Sequence, residues 1–453
     1  MQEKLVIKNF IIIKSFEWDI SKINIIIGEN GQGKSIVAKV LCFSRYLVSR
    51  LNKTITEKDK NPLEGIQSRF KEKFKKYFYF CNWYLPSDEQ KNFSIVYSID
   101  GDAGNGFILT IEPTEDKEDV KFSYSYKRKD GFVVKEVFFE NVFEAVIKDD
   151  PTLIKQLSLR NHLYLGDERS ELAFGWERID YSKHSNTKKN IDTDRWVKGI
   201  RFNIQELADE EYAGKSHLRL LDNWADFLKI ENYYFIESDN GKKEYEVKLI
   251  LPEDESKRKH VLLSQASSTQ KEYFHVALAL AYQLKWLENE SKGKRDAAIH
   301  IYIEEPETHL FPTAQKQLMA LLSAYIDECK NYTNNYTLVI ATHSCLSLNQ
   351  INNSIDYTVV KKWLDNDENC GHKDYKDIKE RFESLVTKYS WLKEVQVDFN
   401  DVSAYQIVDF AGKNLDVKNE RAVLYEHIEK AHCEDVEVNS TLYSLSGKVT
   451  PCV

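Results

Sequence analysis

Three short stretches of this chain carry side chains with chemistry to do, each at the end of an apolar run. The first is Gly28-Glu29-Asn30-Gly31-Gln32-Gly33-Lys34-Ser35. Glycines at this spacing let the backbone curl until successive N–H groups point inward, and a helix opening at its end adds partial positive charge, so the loop suits phosphate. Asn30, Gly31 and Gly33 are expected to form the cradle, Lys34 to reach the β- and γ-phosphates, and Ser35 to ligate magnesium. The second stretch, Glu304-Glu305-Pro306-Glu307-Thr308-His309, begins with two adjacent acids. Phosphoryl transfer to water needs one carboxylate to hold the metal and its water shell and another to orient the attacking water. Glu304 is read as the metal ligand and Glu305 as the water-positioning base. The third is Thr342-His343-Ser344. An imidazole there can donate to a terminal phosphate oxygen, and strand ends are where α/β sheets collect ligand-binding groups.

The surrounding pattern supplies the elements that these side chains need. Ile23 to Ile27 is a continuous β-branched run of the kind buried on both faces of a sheet, and it enters the glycine loop without a spacer. Ile36 to Leu41 continues as a helix, completing strand, loop and helix in the order of a Walker A motif. Ile299 to Ile303 and Thr337 to Ala341 read as two further buried strands, ending at the acids and at the histidine. Phe93 to Ile99, Phe107 to Ile111, Val120 to Lys127 and Phe132 to Phe139 alternate like antiparallel strands between Asp-Gly and Gly-Asn turn signals. Residues 141–160 and 203–230 show helical spacing, and Ser182 to Asp194 is polar.

At 453 residues with a 42% hydrophobic share, one nucleotide-binding domain with large insertions accounts for the length. No apolar run reaches the roughly 18 residues of a membrane span, and Met1 to Lys4 leads straight into a strand pattern, so a cytoplasmic protein with no membrane partner is expected. The seven cysteines form no CxxC pair, which fits a reducing compartment, and Cys370 with His372 supplies too few ligands for a metal site. The net charge of −9 leaves only local basic clusters, at Arg69 to Lys76 and Lys257 to His260. The first also reads as an amphipathic helix with Phe70, Phe74 and Tyr77 inward, so nucleic acid stays open as a partner without being required.

Taken in order, Gly28 to Ser35, Ala266-Ser267-Ser268-Thr269-Gln270-Lys271-Glu272, Glu304 to Pro312 and Ala341 to Ser344 resemble the ABC-like AAA ATPases of the OLD, SMC and RecF type. The resemblance is closest to the stand-alone ATPase subunits of anti-phage systems such as Septu, PARIS and retrons, whose recurrent motif Tyr164 to Ser170 also resembles. It implies ATP and Mg2+ as cofactors, and a homo-oligomer in which Ser267, Ser268 and Gln270 of one copy close over the nucleotide of another. Serine hydroxyls at a helix start suit a terminal phosphate, and equally an ordinary helix cap. Thr269 stands where the family usually has glycine, which implies slow hydrolysis; Gln90 is the candidate Q-loop residue, and Arg169 serves a phosphate, a neighbouring protomer or an internal ion pair.

The expected fold is therefore α/β: an ABC-type P-loop core split between 1–60 and 260–350, an antiparallel β layer at 61–140, a mostly helical insertion at 141–259 and an α/β tail at 351–453. In the tail Asp398 to Asp409 reads as a strand and Glu420 to Lys430 as a helix, serving structure or a contact surface. The expected function is an ATP-hydrolysing sensor or scaffold subunit that holds or licenses a separate nuclease or toxin effector in prokaryotic defence. The alternative is a DNA-binding repair clamp of RecF or SMC type. A transporter motor fits poorly because the segment at Ser267 is not LSGGQ, and a self-contained nuclease would need metal ligands beyond Glu304 and Glu305.

Overall fold

The computed structural model describes residues 2–56, 64–78, 92–101, 104–115, 119–136, 160–165, 216–237, 243–249, 260–291, 297–388, 397–398 and 401–415, with single positions near 142–149 and 442–446. Gln90, Arg169, Lys257 and the stretch Glu420 to Lys430 lie outside these residues. In chain order the strands are β1 Gln2–Phe10, β2 Ile13–Ile20, β3 Ile23–Gly28, β4 Ser94–Asp100, β5 Gly106–Pro113, β6 Val120–Lys127, β7 Val133–Glu136, β8 Arg160–Leu165, β9 Ile230–Glu237, β10 Lys243–Leu249, β11 His260–Leu262, β12 Ala298–Glu304, β13 Asn335–Thr342, β14 Val402–Val408 and β15 Ala411–Leu415. The helices are α1 Lys34–Thr56, α2 Glu64–Tyr77, α3 Ser216–Phe227, α4 Ser268–Ser291, α5 Pro312–Cys329, α6 Cys345–Leu364 and α7 Tyr375–Lys388.

Twelve strands form one sheet in the order β7-β6-β5-β4-β1-β2-β15-β14-β3-β13-β12-β8. From β7 to β2 neighbours run antiparallel. From β14 to β8 they run parallel, so β3, β12 and β13 deliver their C-terminal ends to one edge of the sheet. This is a mixed α/β fold.

The β-branched run of β3 works on both faces, as strand periodicity requires. Ile23, Ile25 and Ile27 join one core with α3, α4 and α5, whereas Ile26 joins the other with α1, α2 and the antiparallel strands. In α2, Phe70 and Phe74 are buried in this second core. Three of its lysines are held within the chain: Lys75 lies 3.0 Å and Lys71 3.6 Å from Asp119, and Lys73 donates to Tyr46.

Among its described residues, the stretch 141–259, expected to be mostly helical, contributes the helix α3 and the strands β8, β9 and β10. β9, β10 and β11 make a separate three-stranded antiparallel sheet, and the alternation Tyr245, Val247, Leu249 carried that signal. β8 pairs in parallel with β12, its His162 and Tyr164 rings stacking on His300 and Tyr302. Such cross-strand pairing of a six-residue strand leaves no trace in its own local pattern.

The tail at 351–453, expected to serve structure or a contact surface, includes among its described residues a hairpin built into the large sheet. Its hairpin, β14 and β15, fills the position between β3 and β2 and joins the parallel and antiparallel halves. Gly412 makes this fit possible, since a Cβ there would lie 2.2 Å from the Phe16 ring. The hairpin's turn, Asp409-Phe410, holds both residues at positive φ, the twist that a two-residue hairpin requires, without a glycine.

Candidate functional site

The loop between β3 and α1 is held against two other turns. A Cβ on Gly28 would lie 2.9 Å from the Ile407 carbonyl of β14, and one on Gly33, at φ 97°, 2.5 Å from the Ile13 side chain. Gln32 Oε1 accepts from the Phe410 amide at 3.1 Å, tying the loop to the tail hairpin. Gly31 and Gly33 both adopt positive φ, the left-handed conformation that turns amides inward and that glycine adopts freely. Asn30 and Gly31 are exposed, Ser35 is half-buried at the start of α1, and Lys34 is 5% exposed.

The Lys34 ammonium donates to the carbonyls of Gly28 at 2.8 Å and Glu29 at 2.9 Å, and lies 2.9 Å from His343 Nδ1. His343 Nε2 stands 2.6 Å from Glu305 Oε1. An ammonium can only donate and a carboxylate only accept, so the tautomer with its proton on Nε2 donates to Glu305 and leaves Nδ1 to accept from Lys34, whereas a proton on Nδ1 would face the Gly28 carbonyl at 3.0 Å. The three side chains from the ends of β3, β12 and β13 thus form one chain of hydrogen bonds. Burial pushes the Lys34 ammonium below its ordinary range, against the attraction of Glu305, Glu307 and Glu304.

Glu304 and Glu305 diverge at the end of β12. Glu304 is 1% exposed, accepts from the Tyr164 hydroxyl and lies 3.9 Å from the Lys39 ammonium. Glu305 adopts φ 45°, while its amide still donates to the Ala341 carbonyl at 2.6 Å. A non-glycine residue at positive φ stores strain of about 1–3 kcal/mol, the kind of cost that clusters at functional positions. The conformation turns the second carboxylate out of the strand and onto His343.

Ser267 to Gln270 opens α4, with Ser267 and Ser268 exposed. Gln270 Oε1 accepts from the Ser267 amide at 3.2 Å and hydroxyl at 2.9 Å, while the Gln270 amide donates to Ser267 Oγ at 3.2 Å. This is a capping box, in which the two side chains satisfy amides that a helix start leaves over. Thr269 Oγ1 reaches the His309 carbonyl at 3.4 Å, so the segment sits against the turn that follows β12. Lys34, Glu305 and His343 therefore come into direct contact within one chain, and the serine segment stands apart, facing solvent.

Sequence reasoning passed over two residues. Tyr164 was noted only as part of a motif, and its bond to Glu304 depends on β8 lying beside β12. Glu307 belongs to the acidic stretch but received no role, although its Oε1 accepts from Thr342 Oγ1 and the His343 amide, each at 2.7 Å.

A protein-family model described as "AAA domain, putative AbiEii toxin, Type IV TA system" matches residues 23–349, a span that runs from β3 through the histidine strand. The chain belongs to this AAA family. No curated protein matches it in sequence. Among solved structures it is similar to the SMC head bound to the C-winged helix domain of ScpA, at 13% identity and TM-score 0.39, over 93% of this chain and 99% of that one. It is similar to the SMC head domain from Thermotoga maritima at 10% identity and TM-score 0.40, over 91% and 98% of the two chains. A RecF structure with bound ATPrS, from the RecFOR pathway, is similar at 10% identity and TM-score 0.31, over 92% and 98%. No helix of the described residues in this AAA-family chain is long and apolar enough to cross a membrane.

Proposed function

We propose that the chain binds and hydrolyses ATP, and that it does so as the sensor or scaffold subunit of a prokaryotic anti-phage system, holding or licensing a separate nuclease or toxin. The observation that carries the ATPase reading is the contact of Lys34, His343 and Glu305 at adjoining strand ends. A glycine loop, a buried ammonium, two carboxylates and an imidazole are the parts that phosphoryl transfer to water needs. The donor set also suits Mg2+, because the Ser35 hydroxyl and the Glu304 carboxylate are hard oxygen ligands and such an ion keeps several waters. When bound there, Mg2+ would draw charge from the transferring phosphoryl group.

In this reading Lys34 exchanges the carbonyls of Gly28 and Glu29 for phosphate oxygens, which releases His343 Nδ1 from the ammonium. Glu305 orients the attacking water and accepts its proton, and His343 fixes the carboxylate by donating from Nε2. The exposed Ser267 and Ser268 at the start of α4 suit a second copy of the chain, whose nucleotide they would close over. Closing and opening that contact is the switch through which ATP would control the effector. The family's description names a putative AbiEii toxin and a toxin–antitoxin system, which supports a partner of the toxin class. The cytoplasm is the compartment proposed.

The test is a pull-down of the tagged chain expressed with its neighbouring genes, comparing wild type with Lys34→Ala and Glu305→Gln. A nuclease or toxin retained only with an intact ATP site supports the reading. A chain that emerges alone, retains duplex DNA with ATP and loses it steeply with salt would replace it with the clamp reading.

A further inference from the structure

Glu307 lies three residues beyond the end of β12, yet its side-chain hydrogen bonds go to the last residue of β13 and the two that follow it. Its Oε1 accepts from Thr342 Oγ1 at 2.7 Å, from the His343 amide at 2.7 Å and from the Ser344 amide at 3.1 Å. Oε2 is buried and makes no hydrogen bond among the described residues. The Ser344 amide also donates to Thr342 Oγ1 at 2.9 Å, so donor and acceptor close a small ring around the backbone of His343. Ser344 carries the constraint outward, because its hydroxyl donates to Gln315 of α5 at 2.9 Å and accepts from the Leu346 amide as the N-cap of α6.

Among these contacts, the Glu307 carboxylate is the group that bonds Thr342, His343 and Ser344 together. The His343 ring is 28% exposed at its side chain and is placed by the backbone that carries it and by its contacts with Glu305, Lys34 and the Gly28 carbonyl. A carboxylate that accepts several N–H and O–H donors holds them more firmly than a neutral acceptor does. We infer that Glu307 is a positioning residue for hydrolysis: it sets the backbone of Thr342 to Ser344 so that the His343 imidazole meets the Glu305 carboxylate, and it touches neither phosphate nor water itself. This rests on the ATP-site reading above.

The test is steady-state ATP hydrolysis by the full chain carrying Glu307→Ala, Glu307→Gln, His343→Ala, the pair Glu307→Ala with His343→Ala, and Lys34→Ala. Displacing a positioned group by about 1 Å costs on the order of 100-fold, so Glu307→Ala should lose about that in kcat with KM for ATP within about threefold of wild type. Glu307→Gln keeps an acceptor oxygen for the same three donors and should recover to within about tenfold of wild type. In the His343→Ala background Glu307→Ala should cost less than about twofold more, as expected for a residue that acts only through the histidine. Lys34-dependent hydrolysis that Glu307→Ala leaves unchanged, or the same loss with and without His343, would overturn the assignment alone. Hydrolysis unaffected by Lys34→Ala would overturn the ATP-site reading and the assignment with it.

Discussion

Arg45 offers the sharpest measure of how the nucleotide loop is anchored. It lies on α1 about three turns beyond Lys34 and is 1% exposed. Its Nε donates to Glu3 of β1 at 2.7 Å, Nη1 to the Tyr302 hydroxyl of β12 at 3.0 Å and Nη2 to Thr337 of β13 at 3.2 Å. Tyr97 of β4 donates to the same Glu3 oxygen at 2.7 Å. Burial is the largest influence and opposes the guanidinium charge, but the Glu3 carboxylate together with Tyr302 and Tyr97 outweighs it and keeps Arg45 well above even its ordinary range. Arg45→Ala would leave Glu3, 5% exposed, as a buried carboxylate with its main partner gone. Breaking a buried pair on one side costs about 3–5 kcal/mol. The loss should appear as a lower chemical-denaturation midpoint with an unchanged slope. Replacing both partners, as Arg45→Met with Glu3→Gln, removes the stranded charge and should recover all but about 1–2 kcal/mol. A loss below about 1 kcal/mol for Arg45→Ala, or a double variant worse than the single, would refute the argument that this pair is desolvated and anchors α1.

Glu305→Gln should retain ATP binding while lowering kcat by about 100- to 10,000-fold, measured by phosphate release, because the amide cannot take the water's proton. Gly412→Val should destabilise the chain by at least about 1–3 kcal/mol in a denaturation series, since even a Cβ would overlap the buried Phe16 ring, and unchanged stability would remove β15 from the sheet. Burial pushes the thiols of Cys42 and Cys329 up to about 12, so at pH 8 only about one in ten thousand is thiolate. Iodoacetamide followed by peptide mapping should therefore modify the exposed Cys370 and spare those two. Above pH 9 the unfolded chain loses these thiol protons while the native chain keeps them up to about pH 12. Their contribution to stability is thus fully present below pH 9 and should fall by up to about 1.4 kcal/mol per pH unit for each thiol above it.

Much of the candidate site could be read from one dimension because its parts are local. Gly28 to Ser35, Glu304-Glu305 and His343 each end an apolar strand run, and three parallel strands in one sheet bring such ends to the same edge. Strand alternation likewise disclosed β4, β5 and β6, whose outer and inner faces differ in polarity at every second residue. Neither argument reaches a contact between residues far apart in sequence. That Tyr164 bonds Glu304, that Gln32 in the loop accepts from Phe410, and that Glu3 faces Arg45 across the core follow from which strands became neighbours. Neighbour order is decided by the packing of whole elements, with the β14–β15 hairpin filling a gap that only Gly412 beside Phe16 leaves open. The residue types and their spacing determined the chemistry on offer, since backbone curl and strand ends are local properties. The alignment of Lys34, His343 and Glu305 into one hydrogen-bonded chain was decided only by tertiary structure, because it depends on the register of three strands drawn from both ends of the family domain.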